Sequence, residues 1–313
     1  TNRGKAGALN EALRHVNGEI IVALDADTQF EPDTIAKLVR WFKDESIGAV
    51  AGNARVGNEI NLVTRWQAIE YIVSQNIERR ALANFDAITV VPGAVGAWRK
   101  KALEEVGNYP EDTLAEDQDL TIAIQKIGWK VIYDEDAIAW TEAPESFAAL
   151  AKQRFRWSFG TLQCLWKHRD LLLQKNKNAR GLSLIGIPQA WVFQIFFALI
   201  SPLIDLALVL SMVSTAQKIY QHGIDATQSD LLKIGIYWLC FMTIDLGCGF
   251  IAYSLESRKT KFRPILMAMQ RFLYRQIMYW VCIKAIFTAI TGLWTGWGKL
   301  ERSGKVNISQ VKQ

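Results

Sequence analysis

The amino-acid sequence predicts an α/β domain followed by interfacial and transmembrane α-helices, on three observations. Short, nearly continuous apolar runs alternate with amphipathic stretches in the first half. Long uncharged stretches fill the second half. Up to Arg180, charged residues are mixed with apolar runs as in a water-exposed domain, and beyond it they thin out. In a chain of 313 residues, half of them hydrophobic and 21% charged, this contrast implies two unlike regions.

Residues 1 to 12 read as a loop running into a helix and no signal peptide precedes them, so the sequence is expected to begin inside a domain. Glu19 to Leu24 has the pattern of a strand buried on both faces of a parallel sheet, and it ends in Asp25-Ala26-Asp27. Pro32, at a first helical position, opens an amphipathic stretch through Phe42, and Gly48-Ala49-Val50-Ala51 is the next short strand. Strand, helix, strand at this spacing predicts parallel pairing. A long helix over 62–82, a strand over 88–91, a helix over 119–127 closed by Gly128 and a strand over 129–133 follow. Pro144 marks a boundary that places the first domain at 1–145. The segment 146–182 repeats apolar residues at helical spacing beside Lys152, Arg154, Arg156 and Lys167, which suits either a helix on a membrane surface or one packed into a core.

A membrane region is placed at 183–298 with about three spans, and a polar tail at 299–313. No charge falls between Arg180 and Asp205 or between Asp205 and Lys218, enough for one span and a re-entrant or interfacial piece, with Pro188 and Pro202 as points of interruption. Residues 234–255, broken only by Asp245, form the second span, and 277–297, carrying only Lys284, the third. Arg258, Lys259, Lys261, Arg263, Arg271 and Arg275 crowd one connection, which is therefore cytoplasmic; Lys175, Lys177 and Arg180 put the α/β domain on that side. Trp280, Trp294 and Trp297 read as an interfacial belt.

Composition also narrows the partners. The net charge of +5 is modest and the basic residues form no stripe interleaved with aromatics, so nucleic acid is not expected. Cys164, Cys240, Cys248 and Cys282 make no CxxC pair or Cys/His cluster and read as buried small hydrophobes in a reduced setting.

Three groups of residues carry chemistry. Asp25 and Asp27, two apart at a strand end, can converge on one hard cation, although an acidic pair there is also a common solvated turn. Glu116-Asp117 precedes a predicted helix, where Asp is equally a routine cap. Gln153-Arg154-Phe155-Arg156-Trp157 combines phosphate-binding guanidinium groups with an indole able to cover the apolar face of a sugar. Trp129, after Gly128, suits core packing or a site wall.

In order along the chain, Lys5-Ala6-Gly7-Ala8-Leu9-Asn10, Asp25-Ala26-Asp27, Val91-Pro92-Gly93-Ala94, Glu116-Asp117 and QRFRW at 153–157 resemble the processive family 2 glycosyltransferases, the synthases of cellulose, chitin, hyaluronan and poly-N-acetylglucosamine. The resemblance implies a GT-A nucleotide-diphospho-sugar transferase domain and an inverting membrane enzyme of the inner or plasma membrane. It implies Mg²⁺ or Mn²⁺ held by Asp25 and Asp27 on the donor diphosphate, with Lys5, Asn10 and Gly93 nearby. Asp117 would be the general base with Glu116 beside it; Arg156 and Arg154 would stabilise the leaving diphosphate; Gln153 and Trp157 would hold the acceptor sugar. Such chemistry needs charge neutralisation on the leaving group and a base for the attacking hydroxyl. With one carboxylate posted as base and none as nucleophile, a single displacement would turn an α-linked donor into a β-linked product.

The expected partners are a UDP-sugar, with UDP-N-acetylglucosamine ahead of UDP-glucose, a polysaccharide acceptor, membrane lipid and an accessory membrane subunit. The alternatives are a cellulose-type synthase, a non-processive transferase acting on a lipid carrier, and a nucleotide-sugar sensor without turnover, against which the Asp25, Asp27 and Asp117 set speaks. Ala115 stands where the family commonly has Thr, and the sequence is expected to be N-terminally truncated, without the family's leading segment that holds the nucleotide base. Asp205 and Asp245 are expected either to face a polymer-conducting interior or to bond helix to helix.

Overall fold

The computed structural model describes residues 4–173, 176–256, 258 and 260–292. Its sheet has five strands, β1 (Ile20–Ala23), β2 (Thr28–Phe30), β3 (Ile47–Val56), β4 (Gly96–Arg99) and β5 (Lys130–Thr141), in the order β1-β4-β3-β5-β2. Among the described residues only β3 and β5 pair in parallel; β4 is antiparallel to both β1 and β3, and β2 is antiparallel to β5. The expected parallel neighbours β1 and β3 do run in the same direction, but β4 lies between them.

β1 is an edge strand and is half-buried along its length, unlike the doubly buried strand its apolar run suggested. The segment 88–91 stays outside the sheet: Val91 N–H donates to Thr121 Oγ1 at 2.9 Å, and the following turn delivers β4 instead. β3 is buried at every position and extends past the predicted 48–51, because its polar Asn53 and Arg55 are matched inside the protein, Asn53 by the Glu135 carbonyl at 2.9 Å and Arg55 by the Glu256 carboxylate. Alternate β3 side chains then enter the two cores. Ala49 and Ala51 join Leu103, Leu120 and Ile124 on one face, and Val50 and Ala54 join Leu38, Val95 and Ala97 on the other.

Helices α1 (Gly4–Leu13), α2 (Thr34–Val39), α3 (Leu62–Val73), α4 (Arg80–Asn84), α5 (Lys100–Glu105) and α6 (Glu116–Lys126) cover the sheet. Asn61 and Thr64 form a reciprocal capping box that starts α3, and a π-helical stretch, Ser74–Arg79, joins α3 to α4. After α6 the chain turns at Gly128, whose φ of +107° is open only to glycine at low cost.

α7 (Phe147–Lys167) packs as a core helix: Leu150, Phe159, Cys164 and Leu165 are buried while Trp157 and Trp166 are exposed. Short α8 (Asp170–Leu173) and α9 (Ile187–Gln189) lead into α10 (Phe197–His222), then α11 (Gln228–Ser254), α12 (Pro264–Gln270) and α13 (Tyr274–Ile290). Among the described residues two helical runs are long and apolar enough to cross a membrane, Leu182–His222 with 41 residues and Asp225–Ser254 with 30. At a rise of about 1.5 Å per residue the first spans about 60 Å, twice a hydrocarbon core, and helix continues through Pro188 and Pro202. The surplus is used near its start, where Leu182, Ile187, Ala190 and Ile195 pack with Ile122 of the α/β domain and with Cys164 and Leu165 of α7.

α13 has 17 residues; residues 293–297 of the predicted third span, with Trp294 and Trp297, lie outside the described residues, as do the tail at 299–313, Lys175 and Lys259. The basic connection after α11 rests on the α/β domain, where Arg258 meets Glu31 and Arg263 meets Glu59 at 2.7 Å. Asp205 and Asp245 line neither large cavity. Arg271 holds Asp205 at 2.9 Å and Arg275 holds Asp245 at 2.8 Å, which are contacts of the kind the helix-to-helix alternative calls for. Cys164 and Cys282 are buried, whereas Cys240 and Cys248 are exposed on α11, against the expectation for all four. Trp129 is a packing residue whose Nε1 donates to Glu105 at 2.8 Å.

Candidate active site

The end of β1, the turn before β4, the start of α6 and the middle of α7 meet around a cavity of ≈ 800 Å³, within the range of small-ligand sites. Lys5, Asp25, Asp27, Gly93, Glu116, Asp117, Gln153, Arg154, Arg156 and Trp157 all line it. Asn10 does not. Its amide clamps the Tyr109 backbone, donating to the carbonyl at 2.9 Å and accepting from the N–H at 2.9 Å, so it fixes α1 to a distant loop and has no place in the cavity wall.

Lys5 organises the acidic groups. Its Nζ lies 2.6 Å from Asp25 and 3.3 Å from Glu116, and it closes over Gly93, where any Cβ would collide with it. Burial acts to lower the Lys5 pKa, but Asp25, Glu116 and Asp117 outweigh it and hold the ammonium above its usual range. Burial pushes the Glu116 carboxyl up, and the neighbouring Asp117 adds to this against Lys5.

Glu116 and Asp117 occupy the first turn of α6, and the N-cap Ala115 makes no side-chain cap bond. Asp117 is therefore no conventional cap. Its Oδ2 accepts from the Gly93 N–H at 3.1 Å and its Oδ1 from the Gln118 N–H at 2.9 Å, which orients the carboxylate at the positive end of the helix. The small residue at 115 has a structural cause. Gly160 of α7 approaches so closely that a Cβ on it would strike the Ala115 Cβ, and the Cys164 thiol donates to the Ala115 carbonyl at 3.5 Å.

Arg154 is taken by protein partners. It lies 2.6 Å from Glu70 and 3.4 Å from the Tyr274 hydroxyl, and its Cζ sits 4.2 Å from the centre of the Trp157 ring. Burial opposes its charge, yet Glu70 raises its pKa beyond the ordinary arginine range. Arg154 thus ties α3, α7 and α13 together and backs the indole, while Arg156 lines the cavity beside it. Gln153 is buried, and its Oε1 has no hydrogen-bond partner among the described residues.

Among the described residues no group of three or more His, Cys, Asp or Glu forms a metal cage. Asp25 and Asp27, two hard carboxylates on one cavity wall, still fit a Mg²⁺-type ion, which takes one or two protein carboxylates and completes its shell with water and substrate phosphates. Glu70, Gln75 and Arg79 also line the cavity and were not predicted. They sit on a helix-period stretch that carries no motif, and only the π-helical turn distinguishes it.

Residues 1–160 match a family model described as "Glycosyltransferase like family 2". The poly-beta-1,6-N-acetyl-D-glucosamine synthase of Staphylococcus epidermidis is 33% identical over 160 residues, which are 51% of this chain and 39% of that protein, and its Staphylococcus aureus counterpart is 32% identical over the same shares. The chain thus matches about two fifths of the length of these curated relatives. Among solved structures, the mannosyltransferase PcManGT from Pyrobaculum calidifontis, in complex with GDP-Man and Mn²⁺, matches with a TM-score of 0.51 at 20% identity, over 93% of this chain and 67% of that one. The two share a fold.

Proposed function

The chain belongs to glycosyltransferase-like family 2, and from that premise we propose that it transfers sugar from a UDP-sugar, UDP-N-acetylglucosamine foremost, to a growing β-linked polysaccharide at the cytoplasmic membrane. One observation carries the reading: two hard carboxylates, a helix-start carboxylate pair, an arginine and an exposed indole all border one cavity. Each element of a sugar-nucleotide displacement then has a group to perform it.

Asp25 and Asp27 would hold a Mg²⁺ or Mn²⁺ ion, which when bound supplies charge neutralisation on the donor diphosphate. Lys5, kept cationic by its acidic neighbours, adds positive charge to the same wall. Arg156 stabilises the departing UDP with a planar, forked donor. Asp117, its carboxylate fixed by the Gly93 and Gln118 N–H groups, takes the proton from the acceptor hydroxyl as that oxygen attacks the donor's anomeric carbon. Trp157 presents its ring to the apolar face of the acceptor, steadied by Arg154 behind it. The basic connection seated on the α/β domain supports a cytoplasmic location for that domain.

The test is mass spectrometry of the product made by membranes carrying the full-length protein, supplied with Mn²⁺ and individual UDP-sugars. A polymer of N-acetylhexosamine from UDP-N-acetylglucosamine is expected. Polymer from UDP-glucose alone would move the donor assignment, a single sugar on a lipid would remove processivity, and no UDP release from any donor would defeat the transferase reading.

A further inference from the structure

The transfer chemistry leaves the π-helical stretch Ser74–Arg79 without a role, although such widened turns inside α-helices recur at functional sites. This one stands where the donor cavity meets a second cavity of ≈ 560 Å³, which runs on toward α10 and α13; the two cavities share Glu70, Ser74, Arg79, Arg154 and Trp157. Two polar atoms of the stretch are buried without a hydrogen-bond partner among the described residues, Gln75 Oε1, an acceptor, and Arg79 Nη1, a donor. From α7 on the same cavity wall, Gln153 Oε1 is a third. The Arg79 guanidinium also lies 5.9 Å from the centre of the Tyr133 ring, which restrains its plane.

Groups of this kind are costly to bury unless a protein group, a water or a ligand completes them, and these border a cavity that a ligand can fill. A diphosphate only accepts hydrogen bonds, so it would satisfy Arg79 and leave both glutamine oxygens unpaired. A neutral saccharide offers hydroxyls that donate as well as accept, and it matches the mixed set. We propose that Gln75 and Arg79 bind the acceptor saccharide where the cavities join: Arg79 Nη1 donates to a hydroxyl or acetamido oxygen, and Gln75 Oε1 accepts from a hydroxyl of the sugar that Trp157 covers. The identity of that sugar as an acceptor rests on the transferase reading; its binding does not.

The full-length protein in detergent is titrated with β-linked tetrasaccharides of N-acetylglucosamine and of glucose, and separately with UDP plus Mn²⁺. Arg79→Ala, Arg79→Lys and Gln75→Met should each weaken binding of the preferred tetrasaccharide by roughly 10-fold, with UDP affinity unchanged. Should Arg79→Ala fail to fold, Arg79→Lys, which retains the charge, and Gln75→Met decide the matter. Unchanged tetrasaccharide affinity in monodisperse variants, an equal loss of UDP affinity, or a parent that binds neither tetrasaccharide would overturn the proposal. A parent that binds tetrasaccharide but releases no UDP from any donor sugar would defeat the transferase reading and leave this site standing.

Discussion

In the α/β region one set of carboxylates converges on a cavity, and in the helical region Asp205 and Asp245 are each matched by an arginine. Asp25 and Glu116 both reach Lys5, with Asp27 and Asp117 on the same cavity wall and Glu70 and Glu142 also lining it, so six carboxylates border one space with one lysine among them. Asp205 and Asp245 are instead matched by Arg271 and Arg275, and Gln276 also donates to Asp205 at 2.9 Å. The difference separates function from structure. A crowded set of anions facing a cavity retains acceptor capacity for a cation and a proton, while a closed pair in an apolar helix bundle offers a ligand nothing and serves to hold helices together.

The contrast fails if the cavity carboxylates prove dispensable, and the largest effect is expected there. Asp25→Ala or Asp27→Ala should lower sugar transfer by about 10³-fold, the order expected when several kcal/mol of charge stabilisation is withdrawn. Titration of UDP with Mn²⁺ should show metal-dependent affinity lost in both variants; retained affinity would remove them from a metal site. Asp117→Asn should cut transfer by ~10²-fold or more with UDP affinity intact, since it deletes only the proton acceptor. Transfer at the parent's rate would place the base elsewhere.

The helical side is sharpened by Asp205→Leu, which strands the buried Arg271 and should cost about 3 kcal/mol of stability. Thermal unfolding in detergent measures it, and UDP release and polymer export should decline together; a selective export defect would return Asp205 to a conducting path.

A smaller effect, and one with a pH signature, belongs to Asp119 of α6. Although burial acts to raise it, bonds from His168 Nε2 at 2.7 Å and Lys167 at 2.8 Å hold this carboxyl below its ordinary value. Its folded pKa being depressed, the stabilisation is fully present above about pH 4, the unfolded value, and is lost as pH falls through the folded pKa. Asp119→Asn should therefore cost about 2 kcal/mol at neutral pH, with the difference from the parent shrinking below about pH 4. Unfolding midpoints across pH 3–7 check this, and a pH-independent difference would contradict it.

Much of the candidate site was legible in the chain because its signals are local. Asp25 and Asp27 follow an apolar run, Glu116-Asp117 opens a helix that closes on glycine, and Gln153 to Trp157 lie within about a turn and a half of one helix, so spacing alone groups the side chains within each motif. The order of the motifs supplied the rest of the likeness. Tertiary contacts decided what period and spacing could not. Asn10 turned to the Tyr109 backbone, 99 residues on, and Arg154 was captured by Glu70 and Tyr274, 84 and 120 residues away. β1 became an edge because β4, a strand too short to announce itself, inserted beside it and carried β3 to its far side. Hydrophobic period reports which face of an element is apolar, whereas the neighbour of a strand, or the partner of a buried charge, depends on the whole chain's packing. Gln75 and Arg79 belong to that second class: on an uninterrupted helix pattern they are ordinary polar residues, and only the joining of two cavities around a π-helical turn leaves their buried atoms in want of a ligand.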